Sequence, residues 1–393
     1  MSQPLRVLMI CGDYPPALSG VGDYVDRLCE HLVPHGIRPT LLTTASPALP
    51  TDAARPFAVM RTQKGWGAGA LRSIVEQARE CDLVHIQYPS VLYGRGPAIN
   101  LLPARLRLAG VPVLVTIHDF RVMRRRWRAR VVPMLAAASG VIHVDGGDGP
   151  HLRRWCPLRR PPMRCIPIAS NAPVLECDPA RRHAWRAGLG LADDELAVAY
   201  FGILYPHKGV HELLDATAAL RSEGLRVRPV IIGDFDRDAD YVAPLTERLT
   251  SGDTIWVRGA SLPRVSECLH ACDMAALPFH SGASFNRSSM LACLQHGLPT
   301  VTTDGPATPA NLMDAYDLKL IPPRNAAAVA DALRALAADP MLRDTMRANA
   351  LRQTSALSWP AVAAAHAETY RHTLATRAGR DGAAVTHPAR EVA

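Results

Sequence analysis

Residues 196–210, LAVAYFGILYPHKGV, decide how the chain divides. Leu196–Phe201 is an apolar run of strand length. Gly202 and a turn holding Pro206 and Lys208 follow, and a helical stretch begins at Gly209. Strand–turn–helix units of this kind build parallel sheets, whose strands are buried on both faces and read as continuous apolar runs. Further runs follow at Arg228–Ile232, Thr254–Val257, Met274–Leu277 and Thr300–Thr303, with helices between them. The same alternation fills the start of the chain, at Arg6–Cys11, Thr40–Thr44, Leu83–Gln87, Val111–Ile117, Gly140–Val144 and Arg164–Ile168. Asp23–Val33 is an early helix with Tyr24, Leu28 and Leu32 on one face. Between the two series, Ala169–Asp194 is rich in Pro and Arg and lacks the pattern. The reading is an α/β chain of two Rossmann-like doubly wound domains facing across a cleft. Residues 1–180 form the first domain and 181–356 the second. An amphipathic helix, 357–374, returns to the first domain, and 375–393 is a disordered tail.

Composition supports a globular protein: 48% of residues are hydrophobic and 20% charged. No apolar run reaches the ~20 residues of a membrane helix, and the start lacks a signal peptide's apolar core and cleavage site. The nine cysteines are scattered without a Cys-x-x-Cys pair, which favours free thiols in a reducing cytosol over disulfides or a zinc site. The expected location is cytoplasmic, including the inner face of a membrane, and no metal is expected. Net charge is +8, but residues 1–170 carry 22 Lys and Arg against 11 Asp and Glu. The basic half suits an anionic partner.

Ligands of open α/β sheets sit beyond the carboxyl ends of the strands, so the strand-to-helix turns carry the candidate sites. Asp13–Tyr24 leads through Pro15 and Pro16 to Gly20-Val21-Gly22 at a helix start. Glycines there let a phosphate approach the free amides, although the spacing matches neither a dinucleotide fingerprint nor a Walker loop. His118 ends a buried strand, where it serves either a sugar hydroxyl, a leaving phosphate or the core itself. Gly202 permits close approach, and Lys208 adds a cation to a helix start, a pairing suited to a diphosphate. Pro278–Ser289 brings Ser284, Asn286, Arg287, Ser288 and Ser289 to another helix start, which reads as an anion site.

With those residues in place, the chain resembles the family-4 retaining glycosyltransferases of the GT-B fold. The resemblance rests on YPPALSGVGDY, HIQYPS, TIHDF, FGILYPHKGVHELLDA, ACDMAALPF and HGLPTVTT, in that order, and covers the chain to about Leu374. It implies metal-independent transfer with retention from a nucleotide-sugar donor, UDP- or GDP-linked, which is a substrate and not a cofactor. The donor would bind mainly to the second domain and the acceptor to the first. Two departures stand out. The family's Glu-x7-Glu pair falls at Ser284 and Ala292, so both carboxylates are absent. The Arg that follows the strand-end glycine is Ile203, although Lys208 remains. One reading gives Arg287 the missing charge and keeps the enzyme; the other makes the chain a non-catalytic GT-B protein that binds a sugar or nucleotide. Persistence of Gly20, Gly22, Lys208 and Arg287 favours the enzyme. Its diphosphate would then be held by Gly20, Gly22, Gly202, Lys208, Arg287, Ser288 and Ser289. Ser284 and Asn286 would hold the donor sugar, and His118 would serve catalysis.

The run 121–130, RVMRRRWRAR, has two readings of equal weight: contact with an anionic membrane or a lipid-linked acceptor, and a solvated face. No nucleic-acid motif accompanies it, so nucleic acid is not an expected partner.

Overall fold

The structure is a computed structural model that describes residues 3–94, 96–118, 120–121, 123–156, 161–235, 239–309, 312 and 317–385. The chain forms two compact units. One runs to Ile168 and takes in the chain from Trp359; the other is Ala169–Ser358. The change of unit comes ahead of position 180 for a local reason. The linker is already tied to the second unit there, since the Leu175 amide donates to Ser266 Oγ and its carbonyl meets His270 Nε2 at 2.9 Å.

The first unit holds seven parallel strands: β1 (Leu5–Ile10), β2 (Ile37–Thr44), β3 (Ala58–Gln63), β4 (Leu83–Tyr88), β5 (Val113–Ile117), β6 (Gly140–His143) and β7 (Met163–Cys165). Their order is β3-β2-β1-β4-β5-β6-β7. The second unit holds β8 (Leu196–Phe201), β9 (Val227–Ile232), β10 (Ile255–Val257), β11 (Met274–Leu277), β12 (Thr300–Thr303) and β13 (Leu318–Ile321). They are ordered β10-β9-β8-β11-β12-β13, again all parallel. Strand order reverses between β1 and β4 in one sheet and between β8 and β11 in the other, and the crevice of a doubly wound sheet opens at such a point. Central strands are fully buried, as in Val7–Ile10 and Ala197–Tyr200.

Two strands, β3 and β13, lie outside the sequence expectation. Both are sheet edges, and their sequences AVMRTQ and LKLI mix charge with apolar residues because one side lacks a neighbouring strand. The first helix, Gly20–Leu32, starts earlier than expected because Ser19 caps it, accepting from the Gly22 amide at 3.2 Å. The final helix spans Trp359–Val385. Of the tail expected over 375–393, residues 386–393 lie outside the described residues. Trp359 packs on Tyr24 with ring centroids 5.3 Å apart, so this helix belongs to the first unit.

Candidate functional site

In the second unit, the turns after β8 and β11 meet at the point where strand order reverses. Gly202 ends β8 with φ +140°, a region that disfavours side chains, and a Cβ there would sit 3.6 Å from Ser289 Cβ. The turn then closes on β11. Gly209 has φ +78°, and a Cβ would lie 2.0 Å from the Pro278 carbonyl oxygen, so only glycine lets the two segments touch. The His280 amide donates to the His207 carbonyl at 3.0 Å, fastening the same pair of turns.

This contact fixes two cations around one ring. Lys208 Nζ lies 5.2 Å and Arg287 Cζ 4.8 Å from the centroid of Phe279. Such placements gain from the ring's quadrupole, while the two like charges repel, so the arrangement favours an anion. Arg287 Nη2 donates to Ser281 Oγ at 2.7 Å. Arg287 also precedes the helix Ser288–Gln295, whose first-turn amides at Ser288 and Ser289 lack intrahelical partners, as at any helix start. The electropositive field is felt at His207. Burial is the main cause that lowers its pKa, and Lys208, Arg287 and His280 lower it further.

Ser284 is buried and its Oγ donates to Asn286 Oδ1. Ala292 is fully buried in the helix. Gly202, Lys208, Ser284, Asn286, Arg287, Ser288 and Ser289 therefore share one end of the second unit's sheet.

Sequence reasoning missed three residues beside them. His280 Nε2 lies 2.7 Å from Glu212 Oε1, and Arg324 Nε donates to His280 Nδ1 at 3.4 Å. With Nδ1 accepting, Nε2 carries the proton and donates to the carboxylate. Arg324 holds φ +57°, the one positive φ at a non-glycine among the described residues, and strain of this kind gathers at functional sites. Their positions are 44 and 68 residues apart from His280, so only the sheet brings them together.

The other candidates belong to the first unit. A Cβ on Gly20 would meet nothing within 4 Å, whereas one on Gly22 would lie 3.0 Å from the Asp13 carbonyl oxygen. Gly20 thus leaves open space at the helix start, and Gly22 lets the loop pack on the helix. His118 follows β5 and is 5% exposed. Its Nε2 lies 2.9 Å from Gln87 Oε1, and its ring meets Tyr24 edge-on at 5.1 Å. Burial pushes its pKa down to about 3, so the ring is neutral.

The basic run separates into distinct roles. Arg121 binds Asp145 at 2.8 Å and Asp148 at 3.3 Å. Burial, reinforced by Asp145, raises Asp148 to about 7. Arg130 stacks on Trp127 at 4.3 Å. Arg124, Arg125 and Arg126 face solvent, and Val122 lies outside the described residues.

Comparison with known proteins places this geometry. Models of Glycosyltransferase Family 4 and of Glycosyl transferases group 1 match residues 18–169 and 181–353. The chain belongs to the family-4 glycosyltransferases of the GT-B fold. Within this family it is similar to the D-inositol 3-phosphate glycosyltransferase of Actinosynnema mirum, at 30% identity over 50% of this chain and 49% of that one. It is also similar to the alpha-D-kanosaminyltransferase of Streptomyces kanamyceticus, at 24% identity over 83% and 92%. The chain spans about half the length of the first curated relatives it matches. Among solved structures, Anabaena HepE in complex with UDP and glucose shares the fold with TM-score 0.75 and 19% identity, over 94% of this chain and 100% of that one. Among the described residues, no helix is long and apolar enough to cross a membrane.

Proposed function

We propose that the chain transfers a sugar from a UDP- or GDP-sugar to a hydroxyl acceptor, with retention of anomeric configuration. The observation that carries this reading is the pair of cations, Lys208 and Arg287, held on the Phe279 ring beside a helix start. As the sugar leaves, negative charge grows on the diphosphate. Two fixed cations and the Ser288 and Ser289 amides meet that charge without reorganising, so the reading needs neither a metal nor a cofactor. Ser284 and Asn286 are the proposed contacts of the donor sugar, and His118 is the proposed catalytic residue. HepE binds UDP and glucose, which makes UDP-sugars the first donors to test. The acceptor is a sugar, a polysaccharide or a lipid-linked intermediate. The exposed Arg124–Arg126 suit a peripheral contact with an anionic membrane.

A second reading, a GT-B protein that binds its ligand without catalysis, is favoured by one observation. The family's carboxylate positions are occupied here by Ser284 and Ala292, and Ala292 is sealed in the core. Release of free UDP or GDP from their sugars, with and without a lipid-linked acceptor, tests between the two. Acceptor-dependent release supports transfer. Nucleotide binding without release supports the second reading.

A further inference from the structure

Strands β4 and β5 run parallel with Gln87 beside Thr116. Alternation along each strand places His85 and Gln87 on one face with Thr116 and His118. All four are buried.

The Gln87 amide is oriented by what surrounds it. Its Nε2 lies 3.2 Å from Met9 Sδ. It also lies 3.3 and 3.4 Å from the two ring nitrogens of His85. Near-equal distances set the NH2 group over the ring face. Sulfur and the π face are both electron-rich, so they take N–H and repel a carbonyl. Reversing the amide would press its oxygen against both. Oε1 is thereby turned to His118 Nε2, at 2.9 Å. A carbonyl oxygen only accepts, so Nε2 carries the proton and Nδ1 is the ring's acceptor.

The orienting group is itself held. At Gln87 it is the main chain that is tied down, its backbone carbonyl accepting from Tyr93 Oη at 2.6 Å. His85 is pinned at both nitrogens, by Thr116 Oγ1 and Tyr370 Oη, each at 2.7 Å.

We propose that Gln87 is a positioning residue for His118, fixing the proton on Nε2 so that His118 enters the reaction as a hydrogen-bond acceptor at Nδ1. The role in transfer rests on the proposed function, while the tautomer stands on geometry alone. A lone imidazole in water favours the same tautomer only weakly. The surrounding amide makes the choice here, as the partner of one ring nitrogen sets the state of the other.

The test is the nitrogen NMR spectrum of histidine-labelled full-length protein, paired with steady-state kinetics. The wild type is expected to show a protonated Nε2 and an unprotonated Nδ1 at His118. Gln87→Met keeps the volume but removes the acceptor. It should mix the two tautomers and lower kcat about tenfold or more, the equivalent of one lost hydrogen bond, with UDP affinity unchanged. A wild-type proton on Nδ1, or an unchanged tautomer in Gln87→Met, overturns the proposal. Wild-type protein that shows the expected tautomer but transfers no sugar overturns the functional reading instead and leaves only the tautomer assignment standing.

Discussion

His85 Nδ1 and the Tyr370 hydroxyl lie 2.7 Å apart, although 285 residues separate them in the chain. Both side chains are fully buried. The bond carries the final helix into the core of the first unit, where His366 also meets Tyr24 at 3.3 Å. Tyr370→Phe keeps the ring and removes the oxygen, leaving a buried imidazole nitrogen without its partner. The expected cost is about 1–3 kcal/mol, read as a lower midpoint in urea unfolding. A midpoint equal to wild type would show that the helix is held by its apolar contacts alone.

The same network predicts acid sensitivity. Burial lowers the pKa of His118 to about 3, of His366 to about 4, and that of His85 well below the ordinary value of 6.5. The folded state keeps all three neutral, while the unfolded chain protonates them below about pH 6.5. Each therefore contributes stability that is present above that pH and lost as pH falls. Asp148 acts in the opposite sense. Raised to about 7, it binds its proton in the folded state well before it does when unfolded. Asp23, raised to about 6, and Asp26, also raised, act with Asp148, but burial lowers five further histidines, His143, His207, His211, His270 and His296, so the balance is a net loss, at most about 1.4 kcal/mol per pH unit for each net proton. Urea unfolding at pH 7, 6 and 5 should show a falling midpoint. A midpoint constant over that range would contradict the burial of the three rings as neutral groups.

Much of this fold was legible, and the parts that were not have physical reasons. Central strands such as Val7–Ile10 are covered on both faces, so their apolar runs stand out. The edge strands Ala58–Gln63 and Leu318–Ile321 answer to solvent as well as to the core, and Arg61 and Lys319 break their runs. In the site, Gly202, Lys208 and Arg287 were visible because each lies at a strand-to-helix turn. Glu212 and His280 were not, because each is unremarkable in its own stretch and their 2.7 Å contact exists only once β8 and β11 are neighbours. Gly20 and Gly22 looked alike in sequence, and only the packing of Asp13 on Gly22 separates them.

That separation is itself testable. Gly22→Ala drives a methyl against the Asp13 carbonyl oxygen at 3.0 Å and should lower the melting temperature. Gly20→Ala meets open space at the first position of the helix, after the Ser19 cap. It should leave folding intact, while weakening transfer if a phosphate or sugar approaches that backbone. Equal melting temperatures for both variants would remove the distinction.

The donor grip is tested by comparing a nucleotide with its nucleoside. Lys208→Ala and Arg287→Ala each remove one of the cations on Phe279. A lost charge-assisted contact costs ~1.5–3 kcal/mol, about tenfold or more in affinity. Calorimetric titration should show that drop for UDP or GDP and little change for uridine or guanosine. Diphosphate affinity unaltered in both variants would place the donor elsewhere.

His118 belongs to the first unit and the cation pair to the second, so nucleotide binding and turnover should separate in a His118 variant. His118→Ala removes the imidazole but also strands the Gln87 carbonyl in the core, where an unpaired acceptor costs about 1–3 kcal/mol. Kinetics must therefore be read on protein shown to be folded, at a temperature well below its lowered midpoint. Under those conditions His118→Ala is expected to lose most sugar transfer and to keep wild-type affinity for UDP or GDP. His118→Asn, which retains an acceptor oxygen in the same pocket, should recover part of the turnover, because the ring is neutral at about pH 7 and its contribution is a hydrogen bond, not a charge. Near-normal turnover in the folded alanine variant would make His118 a core residue. Loss of nucleotide affinity alongside turnover would show that the first unit helps to hold the donor's nucleotide, and the division of work between the two units would have to be redrawn.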